Sequence, residues 1–166
     1  MSNTKLALTL LAASIALIGC GESIPSQWRK GESKDAFTDK ITKQYDLASN
    51  ESSSNVFSVA CSKGGDLNFY VEYPSRTGIP SAMTEVTIRV GAETQFTEKW
   101  YVGWVNGSTT IENPASFFEK ISSKSKLAIE IFAETRSTYN IAGIENVVAD
   151  MEASVCKFKR AAPSVK

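Results

Sequence analysis

The stretch NVFSVACSKGGDLNFYVEYP, residues 55–74, contains two runs of alternating side chains on either side of a short turn. In the first run, Phe57, Val59 and Cys61 share one face. Alternation with a period of two is typical of half-buried strands, and a turn rich in glycine, Lys63-Gly64-Gly65-Asp66, suits a tight connection. The second run places four large side chains on one face: Leu67, Phe69, Val71 and Tyr73. The stretch therefore predicts an antiparallel hairpin with one face in the core.

The same alternation recurs on both sides of this hairpin. Val86, Ile88 and Val90 alternate with polar residues in TEVTIRV, residues 84–90, and a weaker pattern runs through ITKQYDLAS, residues 41–49. Asn106-Gly107 separates KWYVGWV from STTIE, and Asn-Gly favours a two-residue hairpin turn. These patterns predict an antiparallel sheet with one solvated face.

Two segments have helical spacing instead. Asn113 can cap a helix that begins at Pro114, and this helix would gather its large apolar side chains on one face. After the predicted strand KLAIEIFAE, residues 126–134, a second helix would run through GIENVVADMEASVC and end at Cys156. Its apolar positions are Ile144, Val147, Val148, Met151 and Val155. The predicted fold class is therefore α+β: an antiparallel β-sheet or sandwich-like domain with a short mid-domain helix and a C-terminal helix.

The chain begins with a short polar segment and then an apolar run of about 13 residues from Leu6 to Ile18. A permanent transmembrane helix needs roughly 20 apolar residues, so this run is too short to be one. The layout is that of a secretory signal peptide, which we expect to cover residues 1–19.

The residues Leu17-Ile18-Gly19-Cys20 resemble a bacterial lipobox. This resemblance implies cleavage before Cys20, a thioether-linked lipid on its sulfur and an acylated, palmitate-type N-terminus, which together anchor the protein in a membrane. Gly21 follows the cysteine, whereas lipoproteins retained in the inner membrane typically carry Asp there. We therefore expect an outer-membrane location facing the periplasm. The alternatives are a soluble secreted protein, or a buried cysteine in an apolar helix.

Two cysteines, Cys61 and Cys156, remain once Cys20 carries lipid. An oxidising compartment favours disulfide formation when an even number of cysteines remains. We therefore predict a Cys61–Cys156 disulfide that links the second helix to the sheet. The alternatives are two unrelated buried thiols or metal ligands. The chain contains no His, and two cysteines alone cannot complete a tetrahedral zinc site, so no metal is expected.

The polar segment between the anchor and the first predicted strand suggests a linker. We expect residues 20–39 to form a lipid-anchored tether, residues 40–160 a single globular α+β domain, and residues 161–166 a disordered tail. Trp28 lies within the tether and could contact either the domain edge or the lipid interface.

Three segments follow one another in an order that resembles the VasI/TagO family of periplasmic or lipid-anchored proteins associated with type VI secretion. They are VACSKGGDLNFYVEY, KWYVGWVNGSTTIENPASFFEKISSKSKLAIEIF and YNIAGIENVVADMEASVC. The resemblance covers roughly residues 39–156. In the family, Ser and paired acidic residues usually precede an apolar strand. This chain departs from that pattern, because only Ser33, Asp35 and Asp39 correspond to it before Ile41.

The resemblance implies an accessory protein of type VI secretion that acts through protein contacts in the envelope. One alternative is a phage or prophage lipoprotein that occupies an outer-membrane receptor and excludes further infection. Another is an inhibitor of lysozyme, although the chain lacks the Ser-Gly loop motif expected of such inhibitors. A nucleic-acid partner is not expected, because removal of residues 1–19 takes away Lys5 alone and leaves 17 basic against 18 acidic residues.

Catalytic chemistry is not expected, and neither is a cofactor. The absence of His removes the usual general base of hydrolase triads. Four candidate carboxylates are interpreted as solvated surface side chains: Glu130, Glu134, Asp150 and Glu152. A Ser/Lys nucleophile pair is formally possible in SSKSK, residues 122–126, but no nucleophile elbow accompanies it.

Three aromatic residues on one predicted strand are the candidates for binding a partner. Alternation puts Trp100 and Trp104 on one face and Tyr101 on the other. The Trp pair is expected to be core, whereas exposed aromatics at this hairpin would be anchors for a protein or a glycan. The loop SRTGIPSAM, residues 75–83, is either a further contact region or an ordinary connector.

Overall fold

The computed structural model describes residues 25, 27–34, 41–61, 65–74, 82–102, 109–131, 135–154 and 156–158. These residues form nine strands and two helices. In chain order they are β1 (Arg29–Lys34), β2 (Ile41–Ala48), β3 (Val56–Cys61), β4 (Leu67–Glu72), β5 (Met83–Val90), β6 (Phe96–Val102), β7 (Thr109–Ile111), α1 (Pro114–Ile121), β8 (Lys126–Ile131), β9 (Thr135–Asn140) and α2 (Ile144–Ser154). The lipobox, with Cys20, and the tail 161–166 lie outside the described residues.

All nine strands belong to one open antiparallel sheet with the order β1-β2-β3-β4-β7-β6-β5-β8-β9. The predicted α+β class is confirmed, and of the two forms expected the single sheet is the one observed. The first four strands form a meander, and β5 to β9 form a second group. The two groups meet where β4 pairs with the short strand β7, through two residue pairs, Tyr70–Thr110 and Val71–Thr109.

The core lies between the inner face of the sheet and the two helices. Alternation had predicted this face correctly in β3, β4 and β5, whose core-facing residues are nearly or fully buried. Helix α1 contacts β4, and α2 contacts β3. Aromatic rings fill the space between them, with Phe57 stacked parallel to Phe69 and Phe117 edge-on to Phe69. Among the described residues, no helix is long and apolar enough to span a bilayer.

The sequence interpretation of residues 20–39 as a tether requires correction. Residues 29–34 form β1, which pairs antiparallel with β2 along its whole length. Trp28 is only 5% exposed, packs edge-on against Phe57 and donates a 3.0 Å hydrogen bond from Nε1 to the carbonyl oxygen of Ala142. The folded domain therefore includes Trp28 and β1, because an aromatic side chain upstream of the predicted boundary completes the core.

The second edge strand, β9, was also missing from the sequence interpretation. Its backbone is covered by the turn that connects β2 and β3: Asn50 N donates to the Thr138 carbonyl, and Thr138 N donates to the Glu51 carboxylate. A second side-chain contact joins Asn55 to Ser137 at 2.8 Å. The sheet therefore curls until the turn between β2 and β3 covers the β9 edge. This cover protects the β9 edge from pairing with a strand of another molecule.

The predicted disulfide between Cys61 and Cys156 is confirmed, with the two Cα atoms 5.5 Å apart. Helix α2 ends at Ser154, so Cys156 follows the helix rather than ending it. The next residue, Lys157, makes an isolated parallel bridge with Asp66. Phe158 then packs against Phe69, so the chain after α2 is held covalently to β3 and by backbone and apolar contacts to β4.

Two glycines with positive φ offer a matched test of the packing around Pro25. Gly143 has a φ of 79°, and a Cβ atom there would overlap the Pro25 ring; Gly91 has a φ of 58° and open space around it. Both Gly→Ala changes introduce backbone strain of about 1 kcal/mol. Only at position 143 does the added Cβ atom also clash with another residue, Pro25. In urea denaturation we expect Gly143→Ala to lose clearly more stability than Gly91→Ala. Equal losses would contradict the packing of Pro25 on this turn.

Candidate functional site

The structure separates the aromatic residues that the sequence singled out. Trp100 is completely buried, lies edge-on to Phe117 at 5.7 Å and donates from Nε1 to Glu98. The possible partner-binding role of Trp100 is therefore overturned, because helix α1 covers its face of the sheet. Tyr101 points to the opposite face and is 46% exposed. Trp104 lies outside the described residues, as do residues 75–81 of the candidate contact loop.

Tyr101 belongs to a continuous line of side chains across the outer face of the sheet, which we call the outer row. The register of six neighbouring strands places its members side by side: Asp46, Ser58, Tyr70, Thr110, Tyr101 and Met83. Met83 is 38% exposed and lies directly opposite Tyr101. Among the residues that the structure describes, these two are the exposed large hydrophobic side chains, so the row ends in an apolar patch.

The other end of the outer row opens into a concavity of about 600 Å³, which we call the sheet cleft. It is lined by Gly31, Glu32, Ser33, Thr42, Lys43, Gln44, Asp46, Ala60, Cys61, Asn68, Tyr70 and Thr110. Strands β1 to β4 and β7 supply these residues. The volume lies within the range of small-ligand sites, although the lining is more polar than is usual for such sites.

The carboxylate of Asp46 is held in place at the meeting point of the outer row and the sheet cleft. Its Oδ1 atom accepts from Gln44 Nε2 and from Ser58 Oγ, both at 2.7 Å. Ser58 is fully buried, so this bond also satisfies a hydroxyl that has no contact with solvent. Among the described residues, no cation lies within ion-pair distance of Asp46. The arrangement presents an oriented acceptor to the cleft.

Burial and the charge of Asp46 shift two neighbouring titratable groups. Burial is the main cause that raises the pKa of Tyr70 to about 12, and the charges of Glu72 and Asp46 add to it. The pKa of Glu72 is raised above its ordinary value by burial and then by Asp46. Tyr70 therefore keeps its proton over the whole physiological range and offers a hydroxyl donor beside the Asp46 acceptor.

A second polar cluster lies on the inner face, where α2 meets β1 and β2. Asp150 Oδ2 accepts a 2.8 Å hydrogen bond from the Tyr45 hydroxyl and forms an ion pair with Lys43 at 3.5 Å. The hydrogen bond from Tyr45, followed by the charges of Lys43 and Lys30, lowers the pKa of Asp150. Asp150 thus joins the helix to two strands, and the cluster has a structural role.

The other candidate groups are engaged in ordinary surface contacts. Glu130 accepts from Arg136 at 2.6 Å, and Glu152 is exposed to solvent; Glu134 lies outside the described residues. In SSKSK, residues 122–126, where a Ser/Lys pair was considered and not expected, Ser122 donates to the Glu119 carbonyl and Lys124 pairs with Glu93. Within the described part of the chain, no group of three or more metal-ligating side chains comes together.

Sequence reasoning missed the sheet cleft. The signal was present as polar residues at alternate positions: Gln44 and Asp46, then Ser58, then Asn68 and Tyr70. Period-two alternation identifies such residues as outward-facing, but only the strand register shows that they are neighbours. Comparisons of the chain with family models, with curated proteins and with solved structures found no match.

The raised tyrosine pKa values predict loss of stability at alkaline pH. Tyr45, Tyr70 and Tyr139 each have a pKa near 12 in the fold, mainly because of burial, against 10.0 as the ordinary value. The folded state holds these protons more tightly, so the stabilisation is complete below pH 10 and is lost as the pH rises towards 12. We expect urea midpoints to fall across this window.

Tyr70→Phe should make the urea midpoint fall less steeply with pH. Tyr101→Phe, which removes a hydroxyl from an exposed side chain, is the control. Absorbance at the phenolate band would report the titration directly. If the folded protein ionised all of its tyrosines around pH 10, the burial argument would be wrong.

Proposed function

We propose that this chain is a lipid-anchored protein of the bacterial envelope that acts through contact with a protein partner. The lipobox-like residues Leu17-Ile18-Gly19-Cys20 support an anchor on the outer membrane. The disulfide fits an oxidising compartment. The resemblance to the VasI/TagO family supports an accessory role beside the type VI secretion apparatus.

The observation that carries the proposal is the exposed pair formed by Tyr101 and Met83 at the end of the outer row. Tyr and Met side chains are enriched at protein interfaces, where a few such anchors supply most of the binding free energy. The neighbouring residues on the outer face are polar, which matches the usual arrangement of an apolar centre with a polar rim. A partner that covers the pair would remove both side chains from water.

Site-specific photo-crosslinking in intact cells tests this proposal. A photoreactive amino acid replaces Tyr101 in the full chain, and the control carries it at Thr97, which is exposed on the same strand. We expect Tyr101-dependent capture of a component of the type VI secretion apparatus. Met83→Ser should weaken that capture.

Each alternative outcome has a defined meaning. Capture of an outer-membrane porin or transporter at position 101 would replace the secretion role by exclusion of phage, and capture of a lysozyme would replace it by inhibition of that enzyme. Equal labelling at positions 97 and 101 would show that the outer row is not a contact surface. Release of the Cys20→Ala chain from membranes is a separate test of the anchor.

A further inference from the structure

Two of the three charged residues that line the sheet cleft are already in ion pairs, and the third, Asp46, has hydrogen-bond donors as its partners. Glu32 contacts Lys30 at 3.0 Å, and Lys43 contacts Asp150 at 3.5 Å. The remaining carboxylate, Asp46, lies opposite Arg29 in the register of β1 and β2. An anionic ligand would meet the Asp46 carboxylate, whereas the hydroxyl groups of a neutral ligand can donate to it.

The cleft also offers hydrogen-bond donors and acceptors close together. Hydroxyl groups come from Ser33, Thr42, Tyr70 and Thr110, and side-chain amides come from Gln44 and Asn68. Each hydroxyl can donate or accept, and each amide does both. Gln44 donates its amide to Asp46, and Asn68 donates to the Asp66 carbonyl, so both amide oxygens are oriented by bonds that their nitrogens make.

Small residues leave room between these polar groups. Gly31 and Ala60 bring almost no side chain to the cleft, and a Cβ atom built on Gly31 would meet nothing closer than the Gln44 carbonyl oxygen at 3.9 Å. The Tyr70 ring forms part of the wall. Adjacent donors, acceptors and one aromatic ring match a molecule that has many hydroxyl groups on an otherwise apolar ring.

We propose that the sheet cleft binds a neutral oligosaccharide. Asp46 accepts from its hydroxyl groups, Gln44 and Asn68 accept from or donate to them, and Tyr70 packs against a sugar ring. The volume of about 600 Å³ accommodates a ligand larger than a single sugar. This inference goes beyond the proposed protein contact, since it concerns the cleft and not the Tyr101–Met83 patch. Either can fail while the other holds.

The test uses the full chain, purified in a detergent without a sugar headgroup. Saturation-transfer NMR is recorded with chitotriose, with maltotriose and with the cationic peptide acetyl-Lys-Arg-Lys-amide. We expect saturation transfer to at least one trisaccharide and none to the peptide. Gly31→Val fills the cleft from a position where a β-branched residue suits an extended strand, and it should abolish the transfer.

Two further variants make the result specific. Asp46→Asn keeps the size of the side chain and removes its charge, and we expect binding about tenfold weaker from the loss of charge-assisted hydrogen bonds. Thr87→Val, on the outer face of β5 and away from the cleft, is the control and should bind as the native chain does. If Gly31→Val did not fold, the binding measured with Asp46→Asn would still test the proposal.

Three results would overturn the proposal. They are the absence of transfer to either trisaccharide, equal binding by the native chain and Asp46→Asn, and transfer to the cationic peptide that Gly31→Val abolishes. The last of these would identify the cleft as a peptide site.

Discussion

Replacing Cys61 and Cys156 together by alanine is expected to lower the free energy of unfolding by about 2–5 kcal/mol. The bond joins residues 95 positions apart, so its removal releases a large loop in the unfolded chain. In the fold it links the end of β3 to the segment after α2, and α2 is one of the two helices that cover the core. Urea denaturation followed by circular dichroism measures the change.

The native chain under reducing conditions is the matched control, and its midpoint should move to that of the double variant. A variant that unfolds at the same urea concentration as the oxidised native chain would show that α2 is held by its apolar contacts alone. Each single alanine variant should lose about as much stability as the double variant, since either one removes the same bond.

Trp28→Ala is expected to destabilise the domain by about 3–5 kcal/mol, which is the usual cost of truncating a buried Trp. Trp28 is almost completely buried, and it contacts Phe57 and the Ala142 carbonyl. Its loss would leave a cavity between β3 and the turn before α2. Thermal unfolding of the full chain gives the difference.

Trp28→Phe separates the two contributions of this side chain. It keeps most of the apolar contact and removes the Nε1 donor, so a loss of about 1 kcal/mol is expected. If residues 20–39 were only a tether, both substitutions would change stability by less than about 0.5 kcal/mol, as surface substitutions do. The pair of variants therefore tests where the domain begins.

The hairpin of β3 and β4 could be predicted because the residues that determine it lie close together in the sequence. Phe57 and Val59 alternate with small residues, and the glycine turn lies between two apolar runs, so each strand indicates its own buried face. The disulfide followed from the cysteine count and the compartment. The helix cap was also local: Asn113 Oδ1 accepts from Ser116 N at 3.1 Å, as its position before Pro114 had indicated.

Strands β1 and β9 could not be predicted in the same way. RKGESK has no large apolar side chain, and TRSTYN has one, Tyr139, so neither shows a clear pattern. Their conformation depends on pairing with β2 and β8, which is a tertiary interaction. Trp100, by contrast, was expected in the core, and it is buried beneath Phe117 of α1.

The order of the elements has a consequence for how the chain acquires its structure during synthesis. Strands β1 to β4 form a meander complete by Glu72, whereas α2, which covers part of its inner face, ends at Ser154. The nascent chain thus presents Phe57, Val59 and neighbouring apolar residues for most of its synthesis. Such an intermediate is prone to aggregation, so we expect it to depend on a chaperone until the last helix arrives and oxidation fixes it in place.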